Sequence, residues 1–270
     1  MKEFTFTTPF NISCLKKDTI LRQEGPTEII ITPNIKKLDE ECFRNFSSLR
    51  KIIFKASVKT IPRTCFYGCS SLEEVQLTFG LKKIDSFAFT SCLRLKELYI
   101  PATVEEIGIY AFRRTNLEKI AIPDKVKVIN AHTFALCDNL KTVILPKDLE
   151  KIDDCAFFNC TSLEEITLPE GLKTISQGAF NCESGKEMKL KRVFIPSSVE
   201  YISPQAFAPG TTLLFSSKKI KDFPFLEHKD CKIKYEFTDI ALDDLINMPW
   251  ESTGFNLKEL NDKLIKNENR

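Results

Sequence analysis

One residue type returns along the chain at a nearly fixed interval. Phe43, Phe66, Phe89, Phe112, Phe134, Phe157, Phe180 and Phe207 lie 23, 23, 23, 22, 23, 23 and 27 residues apart. Self-similarity at such a period marks a stacked array, in which each copy buries a face that it cannot bury alone. The same apolar frame precedes each Phe. In one copy it reads Leu95-x-x-Leu98-x-Ile100-Pro101-x-x-Val104-x-x-Ile107-x-x-x-Ala111-Phe112, and in another Leu163-x-x-Ile166-x-Leu168-Pro169-x-x-Leu172-x-x-Ile175-x-x-x-Ala179-Phe180. Eight copies cover residues 26–215, and the longer last interval comes from extra residues at 181–189, which read as a polar loop.

Within a copy, the last two apolar positions of the Leu-x-x-Ile-x-Ile stretch alternate with a variable residue, as in a half-buried strand. A lone strand of that length leaves its backbone unpaired, whereas copies stacked one per turn form a parallel sheet over a continuous core. Pro101, Pro123, Pro146, Pro169 and Pro196 end the ladder, because proline has no amide donor. The Val and Ile that follow point back inward. The Ala-Phe pair then sets a small residue beside a large ring, so successive rings are expected to stack as the interior spine.

Both ends of such a stack need covers. Residues 1–25 read as an N-terminal cap, with strand-like alternation at Phe4, Thr5, Phe6 and Thr7, and residues 26–215 as the solenoid. Residues 216–270 read as a C-terminal cap and helical tail, after closing strands around Leu213, Leu214 and Phe215 and around Lys232, Ile233, Lys234 and Tyr235. Ile240, Leu242, Leu245 and Ile246 suggest one short helix, ended by Pro249. Asn256 with Glu259 makes a capping box for a second, with Leu257, Leu260, Leu264 and Ile265 on one face. That helix is either a lid on its own domain or an arm for a partner or a second copy.

The frame resembles the leucine-rich repeats of BspA-like and Treponema-type proteins, known from bacteria and from protozoan parasites such as Entamoeba and Trichomonas. Their pattern runs Leu-x-x-Ile-x-Ile-Pro-x-x-Val-x-x-Ile-Gly-x-x-Ala-Phe-x-x-Cys. Here the Gly occurs only as Gly108, Phe46 and Thr115 stand in for the Cys, and the first three copies lack the Pro. The resemblance implies an α/β solenoid, a right-handed horseshoe of about eight turns with a parallel concave sheet and short C-terminal helices. It further implies binding or adhesion without chemistry, hence a scaffold and no enzyme.

The remaining residues point the same way. Lys and Arg number 39 against 37 Asp and Glu, so no global basic field recruits nucleic acid. No apolar run is long enough for a membrane helix, and the N-terminus carries no secretory signal pattern. A cytoplasmic protein is therefore expected, with the cell surface as the alternative. Its ten Cys are then expected to be free thiols. Cys69, Cys92, Cys137 and Cys160 fall three residues after a ladder Phe and form a column, whereas a zinc site needs ligands converging on one point. No metal, cofactor or catalytic group is expected. His132 and His228 read as surface residues, and no phosphate-binding loop, HExxH motif or nucleophile elbow occurs.

Strand residues that do not point inward line the solvent side of the sheet. One column holds Ile30, Ile53, Gln76, Tyr99, Ala121, Ile144, Thr167 and Phe194; a second holds Glu28, Lys51, Glu74, Glu97, Lys119, Thr142, Glu165 and Arg192. Ile53, Tyr99, Ile144 and Phe194 would leave large apolar groups in water, framed by charge, as in a protein-contact face. β-Branched and aromatic residues also simply suit strands. A protein partner is expected on Ile53, Gln76, Tyr99, Ala121, Ile144, Thr167, Phe194, Glu97, Lys119 and Arg192, and a homo-oligomer is the alternative.

Overall fold

The computed structural model describes residues 26–215, together with the backbone of the strands Glu3–Phe6, Cys14–Leu15 and Lys232–Tyr235. Each turn of the chain contributes to three walls around one core. The longest strands, among them Glu28–Ile31, Lys51–Phe54 and Glu74–Gln76, pair in parallel with Glu28, Lys51 and Glu74 side by side. Their burial alternates residue by residue: Ile29, Ile31, Ile52, Phe54 and Val75 face the core and their neighbours face out. Glu3–Phe6 extends the same ladder through Glu3 opposite Glu28. At the far end Arg192–Ile195, Thr212–Phe215 and Lys232–Tyr235 pair likewise.

This long wall is not the continuous sheet expected from the repeat. It divides into segments of four, two and three strands, because residues 97–100 and 165–168 pair with neither neighbour, although Leu98, Ile100, Ile166 and Leu168 remain buried. A second wall, absent from the sequence reading, consists of two-residue strands such as Thr60–Ile61, Lys83–Ile84 and Glu106–Ile107. Each contributes one buried Ile and its inter-turn bonds. The polar segment 181–189 adds four residues to one turn without disturbing this register, since Thr174 still pairs with Tyr201.

The third wall corrects the expected class. No helix occurs among the described residues, so this side of the solenoid is built of turns and the fold is a β-solenoid rather than α/β; the helical patterns at 240–246 and 256–265 lie outside the described residues. Alternate amides here donate to the next turn. Thr64 N–H donates to Ser86 O at 3.1 Å, Phe66 N–H to Ala88 O at 2.8 Å and Gly68 N–H to Thr90 O at 2.8 Å, and the pattern recurs along the stack. The intervening amides donate within their own turn. This alternation requires left-handed backbone two residues before and two after the ladder Phe, as at Phe87 (φ 60°), Ser91 (62°), Tyr110 (60°) and Arg114 (56°). Left-handed backbone costs a non-glycine residue roughly 1–2 kcal/mol, and the three inter-turn bonds of each such turn offset it.

Inside, the rings do stack. All eight ladder Phe are buried, with successive centroids 5.1–5.5 Å apart and interplanar angles between 3° and 13°. The Cys column serves them. Cys69 Sγ–H donates to Phe43 O at 2.9 Å, Cys92 to Phe66 O at 3.2 Å, Cys137 to Phe112 O at 3.1 Å and Cys160 to Phe134 O at 3.2 Å. Each of these carbonyls also accepts a backbone amide of its own turn, such as Phe46 N–H to Phe43 O at 3.1 Å, so the thiol adds a second, inter-turn donor to an oxygen with two lone pairs. Burial pushes the Cys65, Cys92 and Cys160 thiols well up, and that of Cys137 up to about 11. Among the eight described thiols, alkylation of the native protein should therefore label Cys155 and Cys182, which are partly exposed, and reach the other six only after unfolding. Peptide mapping of labelled protein checks this; early labelling of Cys92 or Cys160 contradicts the packing.

Candidate interaction face

The outward column of the long wall is where the sequence placed it. Ile30, Ile53 and Gln76 are adjacent, as are Ala121 and Ile144, and Phe194 pairs with Leu214. Gln76, Tyr99, Ala121, Ile144 and Thr167 are exposed, Tyr99 at 77 % and Ile144 at 62 %. Ile53 and Phe194 depart from the expectation, since both are half-buried. Ile53 shares its face with Ile30 across the ladder, so each covers part of the other, and Phe194 stands beside Leu214, itself buried although it points outward. The apolar surface therefore concentrates on Tyr99 and Ile144.

The second column is charged and largely self-neutralised. Lys51 Nζ lies 2.8 Å from Glu74, and Lys119 lies 3.0 Å from Glu97. The hydrogen bond to Glu74 raises the Lys51 pKa, and its reciprocal lowers that of Glu74. Next to this column, Glu73 lies 2.9 Å from Arg50 and 3.3 Å from Arg94, and Arg50, then Arg94, hold its carboxyl below its ordinary value. Exposed pairs of this kind contribute about 0–1 kcal/mol each. Their effect on recognition is to leave little net charge around Tyr99 and Ile144. Arg192, Glu165 and Thr142 are exposed on the same wall.

Two shallow depressions lie among the described residues. One of about 480 Å³ is lined by Glu73, Arg94, Lys96 and Asn116, another of about 400 Å³ by Thr161, Ser162, Glu187, Met188, Lys189 and Lys191. In the second, Lys189 and Lys191 are held by Glu164 and Glu187 in ion pairs. Among the described residues no three of His, Cys, Asp and Glu converge as metal ligands do, and no helix is long and apolar enough to cross a membrane. Asn159, whose triplet Asn159-Cys160-Thr161 fits the glycosylation pattern, is buried and its Oδ1 accepts from Glu183 N–H at 2.8 Å.

Two surface features escaped the sequence reading. Phe79, 80 % exposed, occupies the turn after Glu74–Gln76, where other copies carry Pro and small or polar residues. Phe87, Tyr110 and His132, two residues before their ladder Phe, form a second ring stack on the turn wall.

Comparison with known proteins agrees with this architecture. The BspA type Leucine rich repeat region matches residues 5–115 and 105–234. Similar solved structures include a leucine-rich repeat protein of T. pallidum, 23 % identical over 51 % of this chain and 78 % of its own, with a TM-score of 0.43. A leucine-rich repeat protein of Bacteroides ovatus is 20 % identical over 78 % of this chain and 84 % of its own (TM-score 0.36), and the pneumococcal vaccine antigen PcpA 16 % over 79 % and 80 % (TM-score 0.34). No curated protein matches the chain. With its ring ladder, its thiol column and a family match across most of its length, the chain belongs to the BspA-type leucine-rich repeat proteins.

Proposed function

We propose that the protein is a non-enzymatic interaction scaffold that holds a protein partner against the long wall, with Tyr99 and Ile144 as anchors. One observation carries this reading: two large apolar side chains stand mostly in water on a wall where Lys51 pairs with Glu74 and Lys119 with Glu97. Strand preference accounts for the residue types, and burial against a partner removes their apolar surface from water. Gln76, Ala121 and Thr167 supply a flat exposed floor between and beside the anchors, Glu97, Lys119 and Arg192 form the polar rim, and half-buried Ile53 and Phe194 bound the patch.

The test is affinity capture from the source cell with wild-type protein and with the double variant Tyr99→Glu/Ile144→Glu, its fold checked by thermal melting. Anchors of this type contribute about 2 kcal/mol or more each, so recovery of the principal partner should fall at least tenfold. Equal recovery by both proteins rejects the face. If the captured partner is a second copy of the chain, light scattering should show a concentration-dependent mass that the double variant loses.

A further inference from the structure

A second surface differs from the long wall in both geometry and charge. Two residues before the ladder Phe, three consecutive turns carry Phe87, Tyr110 and His132, all half-buried on the turn wall. Their rings stack at 4.7 Å and 18°, then at 4.5 Å and 10°. Arg63 lies over Phe87 at 5.8 Å, and Arg113 over Tyr110 at 5.9 Å. One turn earlier, Arg44 lies over Tyr67 at 5.2 Å. Burial, followed by the nearby Arg113 and opposed by Asp154, lowers the pKa of His132, so it joins the row as a neutral ring.

The stacking decides what such a ridge can hold. Phe87 and His132 cover both faces of Tyr110 and Arg63 lies over Phe87, so of the ring faces only the outer one of His132 is left without a ring or guanidinium over it, too little to stack a sugar or nucleobase along the row. Ring edges remain, and they carry the positive end of the aromatic quadrupole. Arg63, over Phe87, keeps its in-plane N–H fork free for a bidentate carboxylate, and Arg113, 5.9 Å from the centre of a ring stacked on both faces, stands at the rim of the row. Every other described arginine with an ion pair uses its guanidinium on a carboxylate, as Arg50 and Arg94 do on Glu73 and Arg44 on Glu41, whereas Arg63, Arg113 and Arg114 form no ion pair among the described residues. Asp85, close by in sequence, pairs with Lys83 at 3.6 Å. We infer that this ridge binds an acidic polypeptide segment, its carboxylates on Arg63, Arg113 and Arg114 and its apolar side chains against the ring edges and Ile109. A chain of formal net charge +2 with three spare guanidiniums is a poor match for a polyphosphate backbone, whose affinity grows with the number of phosphates neutralised. Exposed Ile109 favours peptide side chains over phosphate as well.

The experiment is fluorescence polarisation of the full chain with a labelled random copolymer of glutamate and tyrosine at low salt, beside an oligothymidylate and heparin. Wild type should bind the copolymer saturably. Arg63→Gln/Arg113→Gln should weaken it at least tenfold with an unchanged melting temperature, Tyr110→Leu should weaken it less, and Tyr99→Glu/Ile144→Glu should bind as wild type does. Absent binding, equal binding by the arginine variant, equal loss in the long-wall variant, or tighter binding of the oligothymidylate or heparin would each overturn the assignment.

Discussion

Replacing Phe112 by alanine should destabilise the protein by about 3–5 kcal/mol, the cost of a large cavity in a core that cannot close over it. The ring is fully buried between Phe89 at 5.4 Å and Phe134 at 5.5 Å, both nearly parallel to it. Its removal leaves a ring-sized void bounded by two fixed turns. The backbone on either side is tied by inter-turn bonds at Phe89 and Phe112, which oppose collapse. Because each turn is stabilised by its neighbours, damage in the middle of the stack weakens turns on both sides. Phe112→Leu retains much of the volume and should lose less than half as much. Urea denaturation followed by circular dichroism measures both; an alanine variant with the wild-type midpoint would show that the rings are not the spine.

Gly108→Ala should cost about 1–3 kcal/mol, the usual penalty for forcing an extra methyl into filled space. A Cβ built there would lie 2.4 Å from Ser86 N and 2.7 Å from Asp85 C, both backbone atoms of the preceding turn. A side chain at that distance could rotate away; a hydrogen-bonded turn cannot. The repeat slot itself tolerates side chains, since Asp85, Asn130, Asp153 and Ser176 occupy it in other copies. Ser176→Ala is therefore the control and should shift stability by under about 1 kcal/mol. Similar unfolding midpoints for the two variants would mean that the close approach at Gly108 relaxes freely.

The sequence carried the period and the core because Phe, Ile and Leu recur in fixed slots, and burial of each slot depends only on the slot. It did not carry the turn wall. The left-handed positions hold Glu41, Thr64, Phe87, Cys155 and Gly178, which share no chemistry, and neighbouring turns impose the conformation through hydrogen bonds. The two-residue strands were equally silent: Thr60–Ile61 or Glu106–Ile107 is too short to display an alternation. On the long wall the columns were legible but the exposures were not. Whether Ile53 or Tyr99 meets water depends on the cross-ladder neighbour, Ile30 beside the first, while the turn bearing the second pairs with no strand. His132, read alone, looked like an ordinary surface residue; the stack it completes is visible only when the 22-residue step before it is folded back into register.

That shortened step leaves a joint. Between the turns of Phe112 and Phe134 neither the long wall nor the two-residue wall has strand pairing, the only junction among the described residues where both lapse. Asn130 compensates locally, its side-chain Nδ2 donating to Ile107 O at 2.7 Å where the backbone amide of Asp153 or Ser176 does so in other turns. The array is thus two blocks keyed together by one row of turns and one file of rings. Tyr110 and His132 sit astride that joint. A ligand seated across them would act as a strap, so that mass action would tie its occupancy to the stiffness of the whole rod.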